Sequence, residues 1–267
     1  MCTCVRVYVP TGAMKKRVIA ITNNKGGVGK TTTAVNLAAG LAASNRRVLV
    51  IDADPQANAT FSLLGPEPPD LTLADVLIER SSEIPKVITP TRTEGVDLVP
   101  STLTLSAADL ALAGVPGREK LLSRKLRAVD GYDYILIDTP PSLGLLTVNS
   151  LTTASEVFIP VGVGTFGLLG ITLLEDTIAQ LKENLELDDL TITGAIATLY
   201  DHTRVAKDTL DALGMHFGDR LFKSVIPRNK DVEEAHSNSL SVVVHAPQSK
   251  AAQAYLALTE EVISDER

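Results

Sequence analysis

The nine residues Asn24-Lys25-Gly26-Gly27-Val28-Gly29-Lys30-Thr31-Thr32 constrain the fold more than any other stretch of the chain. They follow a short apolar run, Val18 to Thr22, and lead into an alanine-rich segment suited to a helix, Thr33 to Ala43. Strand, glycine loop and helix in this order make a cradle for phosphate. Glycine lets the backbone curl until successive N–H groups face one point, and the positive end of the helix dipole lies beside it. Gly26, Gly27, Val28, Gly29, Lys30, Thr31 and Thr32 form the candidate nucleotide-binding set. Lys30 is spaced to reach the β- and γ-phosphates, and the Thr31 hydroxyl to ligate Mg²⁺.

The rest of the chain supports one α/β domain. Apolar, β-branched runs recur at Val48 to Ile51, Val96 to Val99, Tyr134 to Ile137, Val157 to Val161, Ile192 to Ala197 and Leu221 to Ile226. Continuous apolar strands imply burial on both faces, as in a parallel sheet covered by helices. Helices are expected at Thr31 to Ser44, Leu73 to Arg80, Gly117 to Val129, Gly144 to Ala154, Leu168 to Leu185, Arg204 to Leu213 and Ser249 to Ile263. The alternation predicts a single-domain, doubly wound, mostly parallel sheet with helices on both faces, over residues 14 to 267. The proline-rich stretches Gly65 to Pro69 and Pro85 to Pro90 read as surface loops. With 45% apolar residues in 267, the core needs no disulfide or metal staple.

Both cysteines, Cys2 and Cys4, fall in a leader, residues 1 to 13, that carries no secretory pattern. Met14 before Lys15 and Lys16 reads as a second start, so the leader is expected to be disordered or an artefact of annotation. No run approaches the roughly 20 apolar residues that span a bilayer, and a cytoplasmic location is expected. The net charge of −7 excludes a surface that attracts polyanions everywhere, so nucleic-acid binding would need a local basic patch.

Two further strands end in carboxylates, at the sheet edge where open α/β folds bind ligands. The second strand runs into Asp52-Ala53-Asp54-Pro55-Gln56-Ala57-Asn58. Tyr134 to Ile137 runs into Asp138-Thr139-Pro140-Pro141-Ser142. Asp138 is placed to hold Mg²⁺ through water, because Mg²⁺ gives up its hydration reluctantly. Asp54 is a further candidate near the metal, and Asp52 supports either the magnesium shell or the loop. No additional arginine is marked as a finger, so unaided turnover should be slow.

Asn24 stands where the ordinary phosphate loop has glycine, and Lys25 precedes two glycines. In these residues the chain resembles the deviant Walker A loop of the ParA/MinD superfamily. The resemblance implies ATP and Mg²⁺ as ligands and a homodimer in the ATP state, with Lys25 crossing to the nucleotide of the partner subunit. It also implies that Asp54 orients the attacking water, so that Lys25, Lys30 and Asp54 carry the catalysis. Without the resemblance, Lys25 reads as a solvated loop residue.

The resemblance runs from about Lys16 to the C-terminus and is closest to the short chromosomal ParA/Soj branch. It is carried further by Pro141-Ser142-Leu143-Gly144-Leu145-Leu146-Thr147, Tyr200-Asp201-His202-Thr203-Arg204, Phe217-Gly218-Asp219 and Ile226-Pro227-Arg228-Asn229. Pro227 and Arg228 match the segment bordering adenine. The branch implies chromosome or plasmid partitioning, a nucleoid-associated location, a ParB-like stimulating protein and non-specific double-stranded DNA binding. Arg204, Lys207, Lys223, Lys230 and Lys250 are the candidate DNA contacts. Residues 200 to 250 hold seven Lys/Arg and seven Asp/Glu, so a basic surface there has to come from folding. The chain departs from the branch at Asp231, where arginine is usual, and at Gly162, Gly164 and Leu169.

Two rivals fail on inventory. A MinD-like membrane ATPase needs a basic amphipathic C-terminus, whereas this chain ends in an acidic segment from Thr259 to Arg267. An iron–sulfur electron carrier needs cysteines beside the sheet. A nearly inert ATP-switched scaffold is the remaining alternative, separable by steady-state ATPase with and without DNA and a partner.

Overall fold

The buried, β-branched runs line up side by side in a computed structural model that describes residues 16–67, 69–79, 82–164 and 167–265. The side chain of Leu169, and Cys2, Cys4, Met14 and Lys15, lie outside the described residues, as do Pro68 and Arg80. In chain order the elements are β1 (Arg17–Ile21), α1 (Lys30–Ala43), β2 (Val48–Asp52), α2 (Asn58–Leu64), α3 (Leu73–Leu77), α4 (Ile84–Val87), β3 (Thr89–Pro90), β4 (Val96–Val99), α5 (Ala108–Ala111), α6 (Leu121–Leu126), β5 (Tyr134–Asp138), α7 (Leu145–Thr153), β6 (Glu156–Gly162), α8 (Gly167–Leu185), β7 (Thr191–Tyr200), α9 (Arg204–Phe217), β8 (Leu221–Pro227), α10 (Lys230–Ser237), α11 (Val242–His245) and α12 (Lys250–Ser264).

The eight strands form one sheet in the order β3-β4-β2-β5-β1-β6-β7-β8. All neighbours are parallel except β3 against β4. Alternate side chains of each strand face opposite layers. Ile19, Ile21, Val48, Val50, Tyr134 and Leu136 pack under α1, α2, α11 and α12. On the other face, one cluster joins Leu49, Ile51, Ile135 and Ile137 to α3, α6 and α7, and a second joins Ile159, Val161 and Ala195 to α8 and α9.

The chain winds from β1 toward β2 and β4, returns at β5, and continues from β6 to β8 on the other side of β1. The loop after β1 therefore opens at the switch point of the sheet, where the strand C-termini leave a crevice. Register brings the functional ends together: Ile21 pairs with Asp138, and Asp138 with Asp52.

The structure corrects several boundaries. Pro85 to Pro90 is no loop, since it contains α4 and β3. Proline is tolerated in a first helical turn and on an edge strand, and Pro85 and Pro90 occupy those two places. The helix expected at Gly117 to Val129 is a 3₁₀ turn, Arg118–Lys120, followed by α6 ending at Leu126. In the other direction, α9 continues past Leu213 to Phe217.

Candidate nucleotide site

The phosphate loop folds as its sequence demands. Gly27 and Gly29 take φ of +71° and +88°, a left-handed backbone that an L side chain rarely adopts. Gly29 caps α1, which has no side-chain cap and no acidic residue in its first turn, so its N–H groups are left for an anion. Three hydrogen bonds fix the loop. Asn23 accepts from the Lys25 N–H at 3.0 Å and donates to the Pro160 carbonyl of β6 at 2.8 Å, while Thr198 of β7 donates to the Val28 carbonyl at 2.7 Å.

Lys30 is only 6% exposed, and its ammonium donates to the Lys25 carbonyl at 3.1 Å. Burial pulls its pKa below the usual lysine range, opposed by the negative charges of Asp138 and Asp54. The amine is thus desolvated and aimed into the cradle.

Asp138 is fully buried, and neither of its carboxylate oxygens has a hydrogen-bond partner within 3.5 Å. Burial, then the adjacent charge of Asp52, hold its pKa well above the carboxylate range, with the Thr31 hydroxyl and Lys30 pulling the other way. Two orphaned, buried acceptors beside Thr31 are a poor arrangement for an apoprotein and a good one for a hydrated cation. Among the described residues, no three His, Cys, Asp or Glu side chains form a metal cage. This suits Mg²⁺, which takes one or two protein ligands and completes its shell with water and phosphate.

Asp52 spends its lone pairs on the fold. It accepts from the Asp54 N–H at 3.1 Å and from the Thr60 N–H and hydroxyl at 2.8 and 2.7 Å, pinning the start of α2. Burial above all raises its pKa to about 6. Asp54, 6% exposed, accepts from the Gln56 N–H at 2.9 Å, which fixes its carboxylate at the cleft.

The cleft, about 680 Å³, has the size of a small-molecule site. Gly26, Gly27, Gly29, Lys30, Thr31, Thr32, Asp54, Pro227 and Arg228 all line it, so most of the sequence-derived set converges on one space. Val28 is buried beneath it, and Lys25 is exposed and outside the lining. Sequence reasoning missed Asn58, Ser62, Thr198, Glu233 and His236, which also line the cleft. Thr198 alone carried a signal, as a polar residue continuing an apolar strand.

The candidate DNA contacts are all exposed. Arg204 and Lys207 begin α9, Lys230 begins α10 and Lys250 begins α12, all elements that start near the C-terminal edge of the sheet. Lys223 lies four residues before the end of β8, about 13 Å down the strand. Arg204 and Lys230 are each matched by an acid one turn on, Asp208 at 3.8 Å and Glu234 at 3.4 Å.

Residues 16–192 match the family model for an AAA domain. The chain is 42% identical over 253 residues to the sporulation initiation inhibitor protein Soj of Bacillus subtilis, covering 93% of this chain and 99% of that protein. It is 43% identical over 262 residues to the chromosome partitioning protein ParA of Caulobacter vibrioides, covering 94% and 95%. The chain belongs to the Soj/ParA family of partitioning ATPases.

Solved structures agree with a Soj/ParA fold. A putative plasmid partition protein of Borrelia burgdorferi bound to AMPPNP superposes with a TM-score of 0.79 at 27% identity, covering 94% of this chain and all of that one. A Mycobacterium smegmatis protein described as cobyrinic acid a,c-diamide synthase, with a bound ATP analogue and magnesium, gives 0.80 at 34% identity, covering 93% and 95%. Like other Soj/ParA proteins, this one is an ATP hydrolase. No helix among its described residues is long and apolar enough to cross a membrane.

Proposed function

We propose that this protein binds ATP with Mg²⁺, dimerises across the nucleotide, holds double-stranded DNA non-specifically in that state, and lets go after slow hydrolysis stimulated by a ParB-like partner. The observation that carries the reading is the division of labour between two lysines. Lys30 is buried under the cradle, while Lys25, five residues earlier, is exposed and outside its own cleft. Lys30 neutralises phosphate in its own subunit, and Lys25 reaches the phosphates of the partner's nucleotide. ATP then bridges two copies, because each cradle is complete only with an amine from the other.

Within one subunit, the N–H groups of Gly26 to Thr32 bind the phosphates, and Thr31 and Asp138 would hold the metal. Magnesium, when bound, offsets the charge that builds on the phosphate oxygens. Asp54, fixed by the Gln56 N–H, orients the attacking water. Pro227 and Arg228 border the base. Positioning and charge neutralisation account for the rate, with no covalent intermediate on the enzyme. Arg204, Lys207, Lys230 and Lys250 supply the phosphate contacts to DNA, with Lys223 at the margin, which places the working protein on the nucleoid.

Light scattering with the Asp54→Ala protein tests the switch: a dimer that persists in saturating ATP is expected, and a monomer there would contradict it. Salt-dependent binding to random-sequence DNA in ATP against ADP tests the cargo side. Affinity confined to ATP and falling steeply with salt is expected; equal affinity in both nucleotides would remove DNA from the cycle.

A further inference from the structure

A contact at the rim of the cleft lies outside the phosphate chemistry. α2 continues from the Asp54 loop, and α10 continues from the Pro227–Arg228 wall. The two helices are joined by a hydrogen bond between Ser62 Oγ and His236 Nδ1, 2.7 Å apart and 174 residues apart in sequence. The imidazole also packs on Phe61, with ring centres 5.1 Å apart and planes tilted by 52°. With the Ser62 hydroxyl donating to the Asn58 carbonyl at 2.8 Å, the tautomer that fits the contact has the His236 Nδ1–H donating to Ser62 Oγ.

The joined segment is stiff at both ends. Thr60, in the first turn of α2, is pinned to Asp52 and also accepts from the Ser101 N–H at 2.9 Å. Ala57, with φ of +56°, turns the chain into α2 and donates its N–H to the Asp54 carbonyl at 2.9 Å. Asn229 caps α10 by accepting from the Asp231 N–H at 2.7 Å, directly after Arg228. Asp54, Asn58, Ser62, Arg228 and His236 line one cleft. The His236–Ser62 contact thus connects the Pro227–Arg228 wall, through α10, to α2 and the loop holding Asp54.

We propose that His236 is a positioning residue for hydrolysis: by latching α2 to α10 it makes the placement of Asp54 depend on a base seated against Pro227 and Arg228. The proposal rests on the assignment of the attacking water to Asp54.

The test compares ATP with inorganic tripolyphosphate, which fills the cradle but has no base. The wild-type protein is expected to turn over ATP faster than tripolyphosphate. H236A is expected to lose roughly tenfold in kcat for ATP, with KM shifted less than about twofold and kcat for tripolyphosphate unchanged, so that the preference for ATP collapses. S62A should reproduce the loss, and the double variant should add little to it. H236N, whose amide donor stands where Nδ1 stands, should restore most of the rate. His236 is exposed and its neighbour Ala235 carries the core contact, so a thermal midpoint near wild type is expected. An unchanged kcat, an equal loss with both substrates, or failure of H236N to restore the rate would each overturn the latch. An Asp54→Ala arm separates the two ideas: full turnover there sinks the role of Asp54, while the His236 substrate ratio still reports on coupling.

Discussion

The two lysines of the loop differ in their solvent: the Lys30 amine is buried and Lys25 is exposed, so their substitutions should separate cleanly. Lys30 contributes a desolvated charge whose ammonium donates to the Lys25 carbonyl. Lys30→Ala is expected to weaken ATP binding by more than about a hundredfold, since a charge-assisted contact in a buried site is lost outright. Lys25→Ala should leave binding to the monomer within about twofold and weaken the ATP dimer by at least roughly tenfold. Titration with a fluorescent ATP analogue measures the first and light scattering the second; a parallel loss of binding in both variants would contradict the division. The residues just named were legible because they are contiguous in the chain, with the glycines marking the backbone and the lysines the charge. Asn36, which donates to the Thr32 carbonyl and accepts from the Val242 N–H at 2.7 Å, left no such trace. Neither did Ser62 or His236, whose roles come from contacts that exist only after the chain has closed on itself.

At the scale of elements, α1 and α12 approach so closely that Gly40 has no room for a side chain. A Cβ there would overlap the Thr259 hydroxyl and lie 3.1 Å from the Thr259 Cβ, and that hydroxyl is fixed by donating to the Tyr255 carbonyl at 2.8 Å. Alanine would improve helix propensity by about 1 kcal/mol, but overpacking a closed interface costs about 1–3 kcal/mol. Gly40→Ala is therefore expected to destabilise the protein by up to about 2 kcal/mol in urea unfolding, with partial recovery on adding Thr259→Ala. A neutral or stabilising Gly40→Ala would show that the helices part easily. The long elements were legible because a two-sided sheet makes its strands continuously apolar and its helices periodic. What escaped was short or held from outside. α2 is anchored by the tertiary contact of Thr60 with Asp52, α10 offers only Val232 and Ala235 to the core, α11 is four residues long, and β3 is read by its prolines as a loop.

Taken as a whole, the molecule carries a buried electrostatic strain on one strand edge. Asp52 and Asp138 are register partners on adjacent strands, both fully buried; burial raises the pKa of each, and the charge of Asp52 makes Asp138 harder still to ionise. The sign of the resulting pH dependence is opposite to that of a salt-bridged acid. A carboxyl whose folded pKa is raised binds more protons folded than unfolded in the interval between the two values, so stability falls as pH rises through it. For Asp52 the interval runs from 3.8 to about 6, and Asp138 shifts in the same direction. In metal-free buffer the protein should gain roughly 1–2 kcal/mol as pH is lowered from about 7 to about 5. Carboxylates held low, such as Asp201 and Glu119, stay ionised across that window and do not mask the trend. ATP with Mg²⁺ brings positive charge to the Asp138 edge, so the slope should flatten when both are added. Asp138→Asn removes one of the two charges. It should raise metal-free stability at pH 7 by about 2 kcal/mol and shrink the slope while turnover is lost, the exchange of stability for function that buried active-site charges impose. Chemical denaturation across this pH range, with and without nucleotide, decides the matter: a metal-free protein whose stability declines steadily from pH 7 to 5, or an Asp138→Asn protein less stable than the parent, would place the strain elsewhere.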